Sequence, residues 1–453
     1  MRTTKLITAV FVLFLTGTLS VFAGGKTEGE DANEKTKITY VYWGSTAEDM
    51  AIKNALKNFM AANPDIIVEP MYLPGDLDGS TYNAKMTAMA ASGTLPDLGY
   101  FRPEEFGNYA TKGYFLDMTE LAKRDNMIES ALPQAWLSID GKIYGAYTAA
   151  ECQVMWYNKK VLQDAGIPTP PKNFDKGWNW DEFTGYLKKI TVDSNGKHPG
   201  EAGFNPKNIK RYGVVYDLWN AMYYPMLWSN GGGVISDDGK NIVIDSSESI
   251  EVFQKLADLM NKDYVMPYMG SGSGLPSPSV MLANGQLGFW VTGQWTLLDL
   301  GQMKDLPLGV AALPILKKPA QIYVSGVNVI FKTTKHPDAA WALQKWMMDP
   351  EKTLGLYTSG LWMPTKASYY TDPVDLAKWL DNPIHPEGFK EAVVDSMRVS
   401  KNEPIKIKNI NNIWGDYLNP VIESIWIGKD SADNALKEAA KKVRASGLLQ
   451  GTF

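Results

Sequence analysis

The sequence predicts an α/β fold organised as two domains, on three observations. The chain has 453 residues, more than a single core of ~100–200 residues accounts for. Strand-like and helix-like runs alternate past residue 37, and the first strand–helix–strand unit calls for a parallel sheet with a right-handed crossover. No short repeat of the solenoid kind breaks that alternation. In order, residues 38–43 form a strand, and residues 50–62 a helix with Ala51, Ala55, Leu56 and Phe59 on one face. Asn63-Pro64 ends that helix, and residues 66–72 are the next strand. A similar unit recurs at 87–91 leading to 98–101, with further helices over 250–261 and 337–348.

The stretch 140–171, DGKIYGAYTAAECQVMWYNKKVLQDAGIPTPP, is the richest in local signals. Asp140-Gly141 is a turn, residues 143–147 alternate as a half-buried strand, and a second apolar run at 153–157 follows Glu151. Asn158 caps a short helix that ends at Gly166, and Pro168, Pro170 and Pro171 forbid its continuation. Glu151 is a lone carboxylate between two strands. Burying it is costly unless something polar meets it.

The amino-terminal segment sets the compartment. Arg2 and Lys5 precede a run at 6–15 that is apolar except for Thr8, and Val21-Phe22-Ala23 offers small residues before a cleavage point. That is a signal peptide over 1–23, with an h-region short for a bilayer. No cysteine stands near residue 23, so a lipid anchor is not expected, and the product is read as a periplasmic protein beginning near Gly24. Residues 24–37, GGKTEGEDANEKTK, are polar and free of aromatics and read as a flexible tether. Removing Arg2 and Lys5 takes the formal charge from −5 to −7, which argues against nucleic acid as a partner. The single Cys152 makes no internal disulfide and reads as a buried thiol. No later run is long and uncharged enough to be a transmembrane helix.

Catalytic constellations are sparse. His198, His336 and His385 each precede proline, which favours exposed loops over general bases or metal ligands. No G-x-S-x-G surrounds a serine. Gly25-Lys26-Thr27 mimics the tail of a P-loop without its first glycine. Asp76-Leu77-Asp78-Gly79 lacks the remaining carboxylates of a calcium loop, and a turn explains Gly231-Gly232-Gly233. No metal and no cofactor are expected. Aromatic residues, by contrast, are plentiful: 15 Trp and 22 Tyr exceed what two cores need, since buried indole and phenol groups require polar partners. A sugar offers an apolar C–H face to a ring and a hydroxyl rim to carboxylates, amides and Arg.

Five segments, in order and spacing, resemble the extracellular solute-binding proteins of sugar ABC transporters, the family that includes maltose-binding protein. Residues 38–44, ITYVYWG, are similar to its opening strand and ligand-facing loop, with Trp43 at the tip. Residues 95–109, LPDLGYFRPEEFGNY, resemble its Pro-Asp strand and sugar-contacting loop, which would hold Phe101, Arg102 and Glu104. Residues 285–295, GQLGFWVTGQW, match a pattern that places Trp295 on the cleft wall. Residues 305–330 resemble the strand returning to the first lobe, with Ser325 and Gly326 facing the ligand, and residues 412–439 the terminal helices, with Trp414 as a stacking tryptophan. The resemblance also implies that the chain crosses between lobes near Glu151, whose carboxylate would touch the sugar. Residues 216–220, YDLWN, replace a Glu-Pro-Tyr segment, so Asp217, Trp219 and Asn220 are substitutes there. Trp362, in the loop 360–364, is a further candidate.

The chain departs from the maltose binder at Glu104-Glu105, where that protein has an Asp-Arg pair, which puts maltose itself in doubt. Bland readings stand beside these. Glu104 and Glu105 suit a helix start, Arg102 suits an ion pair with Glu104, and Glu151 suits an inter-lobe hydrogen bond.

The fold so implied is periplasmic-binding-protein-like. One lobe takes residues 38–147 and 313–365 and the other 148–312 and 366–453, with hinges near 146–150, 311–315 and 360–370. The implied function is capture of a sugar, expected to be an oligosaccharide, for delivery to membrane-embedded ABC permease subunits, the protein itself being a monomer and not an enzyme. The alternatives are a non-sugar solute on the same fold and a secreted glycoside hydrolase, which would need two carboxylates at a set separation.

Overall fold

The computed structural model describes residues 35–74, 80–270, 273–404, 407 and 409–451. The expected signal peptide, most of the expected tether and the segment 76–79 lie outside the described residues. Among the described residues thirteen strands form three sheets: β1 Thr36–Tyr42, β2 Ile66–Tyr72, β3 Leu98–Phe101, β4 Trp136–Ile139, β5 Lys142–Tyr147, β6 Gln153–Asn158, β7 Val192–Asp193, β8 Ile209–Tyr216, β9 Leu287–Gly293, β10 Leu308–Ala311, β11 Gln321–Tyr323, β12 Val327–Ile330 and β13 Ser400–Asn402. The first sheet runs β2-β1-β3-β12-β5-β4, the second β10-β6-β9-β8-β7, and β11 pairs with β13 alone. β1 is parallel to β2 and to β3, as the strand–helix–strand pattern requires.

The helix between β1 and β2 spans Thr46–Ala62 and buries Ile52, Ala55, Leu56 and Phe59. It begins earlier than its apolar periodicity indicates because Ser45 caps it, the Glu48 amide donating to the hydroxyl at 3.2 Å. A Ser-x-x-Glu start of this kind satisfies donors that a helix end otherwise leaves open. β3 reaches β1 closely at Gly99, where φ is +144° and an added Cβ would stand 2.1 Å from the Val41 carbonyl oxygen. Only glycine serves there.

The second sheet is covered on both faces, so β6 is buried at all six positions and reads as a continuous apolar run. Alternate residues divide between two cores. Met155 and Tyr157 belong to the core that also takes in residues of the helices Trp180–Ile190, Ser247–Asn261 and Ala432–Ser446, while Val154 and Trp156 join the core continuous with the first sheet. Phe389 stacks on Trp156 at 6.3 Å on that second face.

His385 departs from the exposed-loop expectation. It packs 4.5 Å from the Phe389 ring and edge-on to Trp379 at 5.6 Å, and burial lowers its pKa. His336 is exposed and His198 partly buried. Cys152 is fully buried, which pushes its thiol pKa up. Among the described residues no helix is long and apolar enough to cross a membrane.

The chain leaves the first sheet after Tyr147 and enters the second at Gln153. It leaves the second after Ala311 and regains the first only at Val327, passing through β11 on the way. The two crossings run side by side. Glu151 and Val324 form a bridge, with the Val324 amide donating to the Glu151 carbonyl at 3.0 Å. Gln321 donates to the Gln153 carbonyl at 2.9 Å and accepts from its amide at 3.1 Å. A third segment touches them where the Ala150 amide donates to the Met363 carbonyl at 2.9 Å.

Candidate ligand-binding cleft

Trp43 leaves the carboxyl end of β1, where a parallel sheet opens towards the loops that bind ligands. It is half-buried. The rings of Tyr82 and Tyr100 meet it edge to face, with centroids 4.8 and 5.1 Å from its own, and the Arg102 guanidinium lies 5.8 Å from the ring centroid. Gly326 is pressed against it, since a Cβ there would be 3.1 Å from the indole. Ser325, beside that glycine, shares a 2.9 Å hydrogen bond with Thr148. Both therefore sit where the two crossings meet.

Glu151 occupies the same junction with 7% of its surface exposed. Burial pushes its pKa up to about 8, against a hydrogen bond from Ser325 that favours the charged form. Glu48 lies within electrostatic reach and is raised by burial first and by the Glu151 charge second. Its carboxylate folds over Gly44, where no side chain would fit.

Arg102 and Glu104 form an ion pair, with the guanidinium donating to Glu104 Oε1 at 2.7 and 2.8 Å. Glu403, just past β13, is buried. Burial pushes it to about 8 and the neighbouring Glu104 charge adds to that, while Arg102 opposes both. Glu105, in the first turn of the helix Pro103–Thr111, accepts from Asn411 at 2.6 Å.

The opposite wall comes from the second sheet. Trp295 follows β9 on a short 3-10 turn, Gln294–Thr296, with its indole folded over Gly293. Trp219 stands 6.4 Å from it, centroid to centroid. Asp217 accepts from Trp290 Nε1 at 2.9 Å and from Thr292 at 2.5 Å, and burial raises its pKa despite those donors. Asn220 opens the helix Asn220–Asn230 next to them. The walls touch. Ser45, two residues from Trp43, donates to Asp299 at 3.4 Å, and Asp299 lies four residues after Trp295.

Three expected site residues are instead packed inside the protein, each at 2% exposure. Phe101 is on β3 with its ring 4.6 Å from Tyr109 and 5.0 Å from Phe115, so the ligand-facing loop begins only at Arg102. Trp362 lies beneath the wall, 6.1 Å from Tyr100. Trp414 is in the second core against Tyr223 and Tyr224. It lies second in the π-helical stretch Ile413–Leu418, a widened turn that shifts helix register, and the residue reaching the first lobe is Asn411.

The sequence reading missed Glu48, Tyr100, Asp299 and Glu403. Glu48 reads as a capping residue, Asp299 as one acid in a short apolar helix and Glu403 as one acid among lysines. Only the fold brings them together.

Two α/β sheets linked by paired crossings, with polar and aromatic side chains gathered at the junction, match what the sequence predicts for the fold. A profile of bacterial extracellular solute-binding proteins matches residues 54–386, more than half of the chain. The chain belongs to this family. Among relatives of this solute-binding protein, the galactooligosaccharide-binding protein of Bacillus subtilis is 22% identical over 449 residues, covering 96% of each chain. The ABC substrate-binding protein of Listeria monocytogenes in complex with cycloalternan is 24% identical with a TM-score of 0.76, over 91% of this chain and 99% of that one. Maltose-bound MalE3 of T. maritima is 22% identical with a TM-score of 0.73, over 90% and 99%.

Proposed function

We propose that this solute-binding protein captures a carbohydrate between its lobes and delivers it to the membrane-embedded subunits of an ABC importer. One observation carries the reading. The Trp43 indole, in reach of the Arg102–Glu104 pair, and the Trp219–Trp295 pair belong to two lobes whose walls meet at Ser45 and Asp299. Rings suit the apolar face of a sugar, and the charged groups suit its hydroxyl rim. The relatives, a galactooligosaccharide-binding protein among them, support the same class.

Trp43, Arg102, Glu104, Glu151, Ser325 and Gly326 would contact ligand from the first lobe and the crossings, and Asp217, Trp219, Asn220 and Trp295 from the second. A ligand touching both walls makes contacts in the closed state that an open state lacks, so binding shifts the population towards closure. The lobes would be residues 38–147 with 313–365, and 148–312 with 366–453, turning about the crossings at 148–152 and 312–326. Export through cleavage after Ala23, a monomeric state and recognition of the closed form by the permease complete the proposal. The cleft carboxylates are hydrogen-bond acceptors here, with no catalytic role assigned.

Thermal unfolding against mono- and oligosaccharides, a polyamine and a peptide pool tests this. Ligand at a hundred times its Kd adds about 2.7 kcal/mol, which raises Tm by roughly 3 °C in a chain of this size. A shift with a sugar, without new reducing ends after incubation, is the expected result. A shift confined to the polyamine or peptides removes the carbohydrate reading, and new reducing ends would make the protein a hydrolase.

A further inference from the structure

A short hydrogen bond joins the two cores away from the crossings. Asn411 Nδ2 donates to Glu105 Oε1 at 2.6 Å. Glu105 lies in the first turn of the helix Pro103–Thr111, which buries Phe106 and Tyr109 in the core continuous with the first sheet. Asn411 lies in the single turn Ile410–Asn412, whose Ile410 belongs to the second core together with Ile413 and Trp414. Each partner is thus fixed to its own core by its immediate neighbours.

The Glu105 carboxylate is held at both oxygens. Oε2 accepts from Asn108 Nδ2 at 3.4 Å, from the same helix, while Oε1 is left for Asn411. Both partners are partly buried, and hydrogen bonds to a carboxylate are shorter and stronger than those between neutral groups. The other contact between the walls, from the Ser45 hydroxyl to Asp299, is 3.4 Å long, beyond the usual range for a hydroxyl donor. Glu105–Asn411 is the firmer of the two.

Its position gives it a mechanical role. The crossings stay joined through Glu151 and Val324, Gln153 and Gln321, and Ala150 and Met363. The Glu105–Asn411 bond belongs to none of these, so rotation of the lobes about the crossings changes its length directly. It also stands beside the cleft wall, one residue after Glu104 of the Arg102–Glu104 ion pair.

We propose that Glu105 and Asn411 form a latch between the lobes that keeps the closed state populated before a ligand arrives. They are positioning residues for capture and do not touch the ligand. The apparent Kd is the intrinsic one divided by the fraction of protein in the binding-competent state. Removing a hydrogen bond to a charged group, made in the closed state alone, lowers the closed-to-open ratio by about tenfold or more.

The inference rests on the reading of the junction as a ligand cleft, and its first readout needs no ligand. Small-angle scattering of the whole ligand-free protein is compared with that of Asn411→Ala and Asn411→Asp. The aspartate keeps the side-chain shape, which guards the test against loss of fold, and sets a carboxylate against Glu105. A larger radius of gyration is expected in both, and more so in Asn411→Asp. Calorimetric titration with maltotetraose and with galactotetraose follows. Whichever saccharide binds is expected to do so with a Kd about tenfold higher in Glu105→Ala or Asn411→Ala, and no higher in the double variant, as for two residues of one interaction. Glu105→Gln, which retains an acceptor oxygen for Asn411, is expected to restore most of the affinity. Scattering unchanged in both Asn411 variants would overturn the latch. So would binding weakened by Glu105→Ala and untouched by Asn411→Ala, since Glu105 would then act on the ligand itself. Changed scattering with no saccharide bound by any form keeps the latch and counts against the carbohydrate reading alone.

Discussion

Replacing Trp43 by alanine is expected to weaken carbohydrate binding about a hundredfold, a loss of roughly 2–3 kcal/mol for a central aromatic anchor. The indole is half-buried, and its ring edges are held by Tyr82 and Tyr100, with Gly326 beneath. It is therefore presented rigidly, and removing it deletes stacking area that no neighbour replaces. Stability should fall less, by about 1–2 kcal/mol, because only part of the ring is withdrawn from water. Trp414→Ala provides the contrast. That ring is 2% exposed among Tyr223 and Tyr224 in the second core, so its loss should cost about 3–5 kcal/mol of stability with little change in affinity for the fraction that remains folded. Calorimetry and thermal unfolding on the two variants separate the effects. Equal binding by Trp43→Ala and the unaltered protein would remove Trp43 from the site.

The ligand-free protein is expected to lose stability as pH rises from about 4.5 to 8. Glu151 has a pKa of about 8 in the fold against 4.5 as an ordinary carboxyl, with burial as the first cause. Between those values the folded state holds a proton that the unfolded chain releases. The contribution is thus complete below 4.5 and lost as pH climbs through 8. Glu48, Asp217, Asp299 and Glu403 are shifted in the same sense, each by burial before any charge, while Ser325 opposes the shift at Glu151. Glu151→Gln keeps the shape and discards the charge. At pH 8.5 the variant should be more stable by up to about 5 kcal/mol, roughly 5 °C in Tm, and the gap should close near pH 4. Unfolding curves that track each other at every pH would show that Glu151 is ordinarily solvated.

Much of the fold was legible because its signals are local. β2 Ile66–Tyr72 and the helix Pro337–Met348 coincide with their sequence patterns, and the cap at Asn158 forms as read, its side chain accepting from the amides of Lys160 and Val161. Boundaries moved where capping outweighed hydrophobic periodicity, as at Ser45. β1 starts at Thr36, inside the segment assigned to the tether, because Thr36 and Lys37 pair with Ile66 and Ile67. That pairing is invisible until both strands are placed.

The candidate cleft was legible only in part, and the reason is physical. A tryptophan in a core and one on a wall look alike in sequence, since both follow apolar runs. Trp43 and Trp295 fall at strand ends and reach the junction. Phe101, one residue earlier along its strand than Arg102, points into the core because side chains alternate. Trp414 turns inward with the π-helical register. Glu48, Asp299 and Glu403 come from three distant segments, and only the fold brings Glu48 within reach of Glu151 and Asp299, and Glu403 within reach of Glu104.

The crystal structure of the protein with the sugar that most raises its Tm tests the central claim most directly. The account predicts ligand between the lobes, one ring against the Trp43 indole and a polar group within hydrogen-bond distance of Glu151. Ligand bound on an outer surface, or in the cleft with Trp43 and Glu151 both untouched, would contradict it.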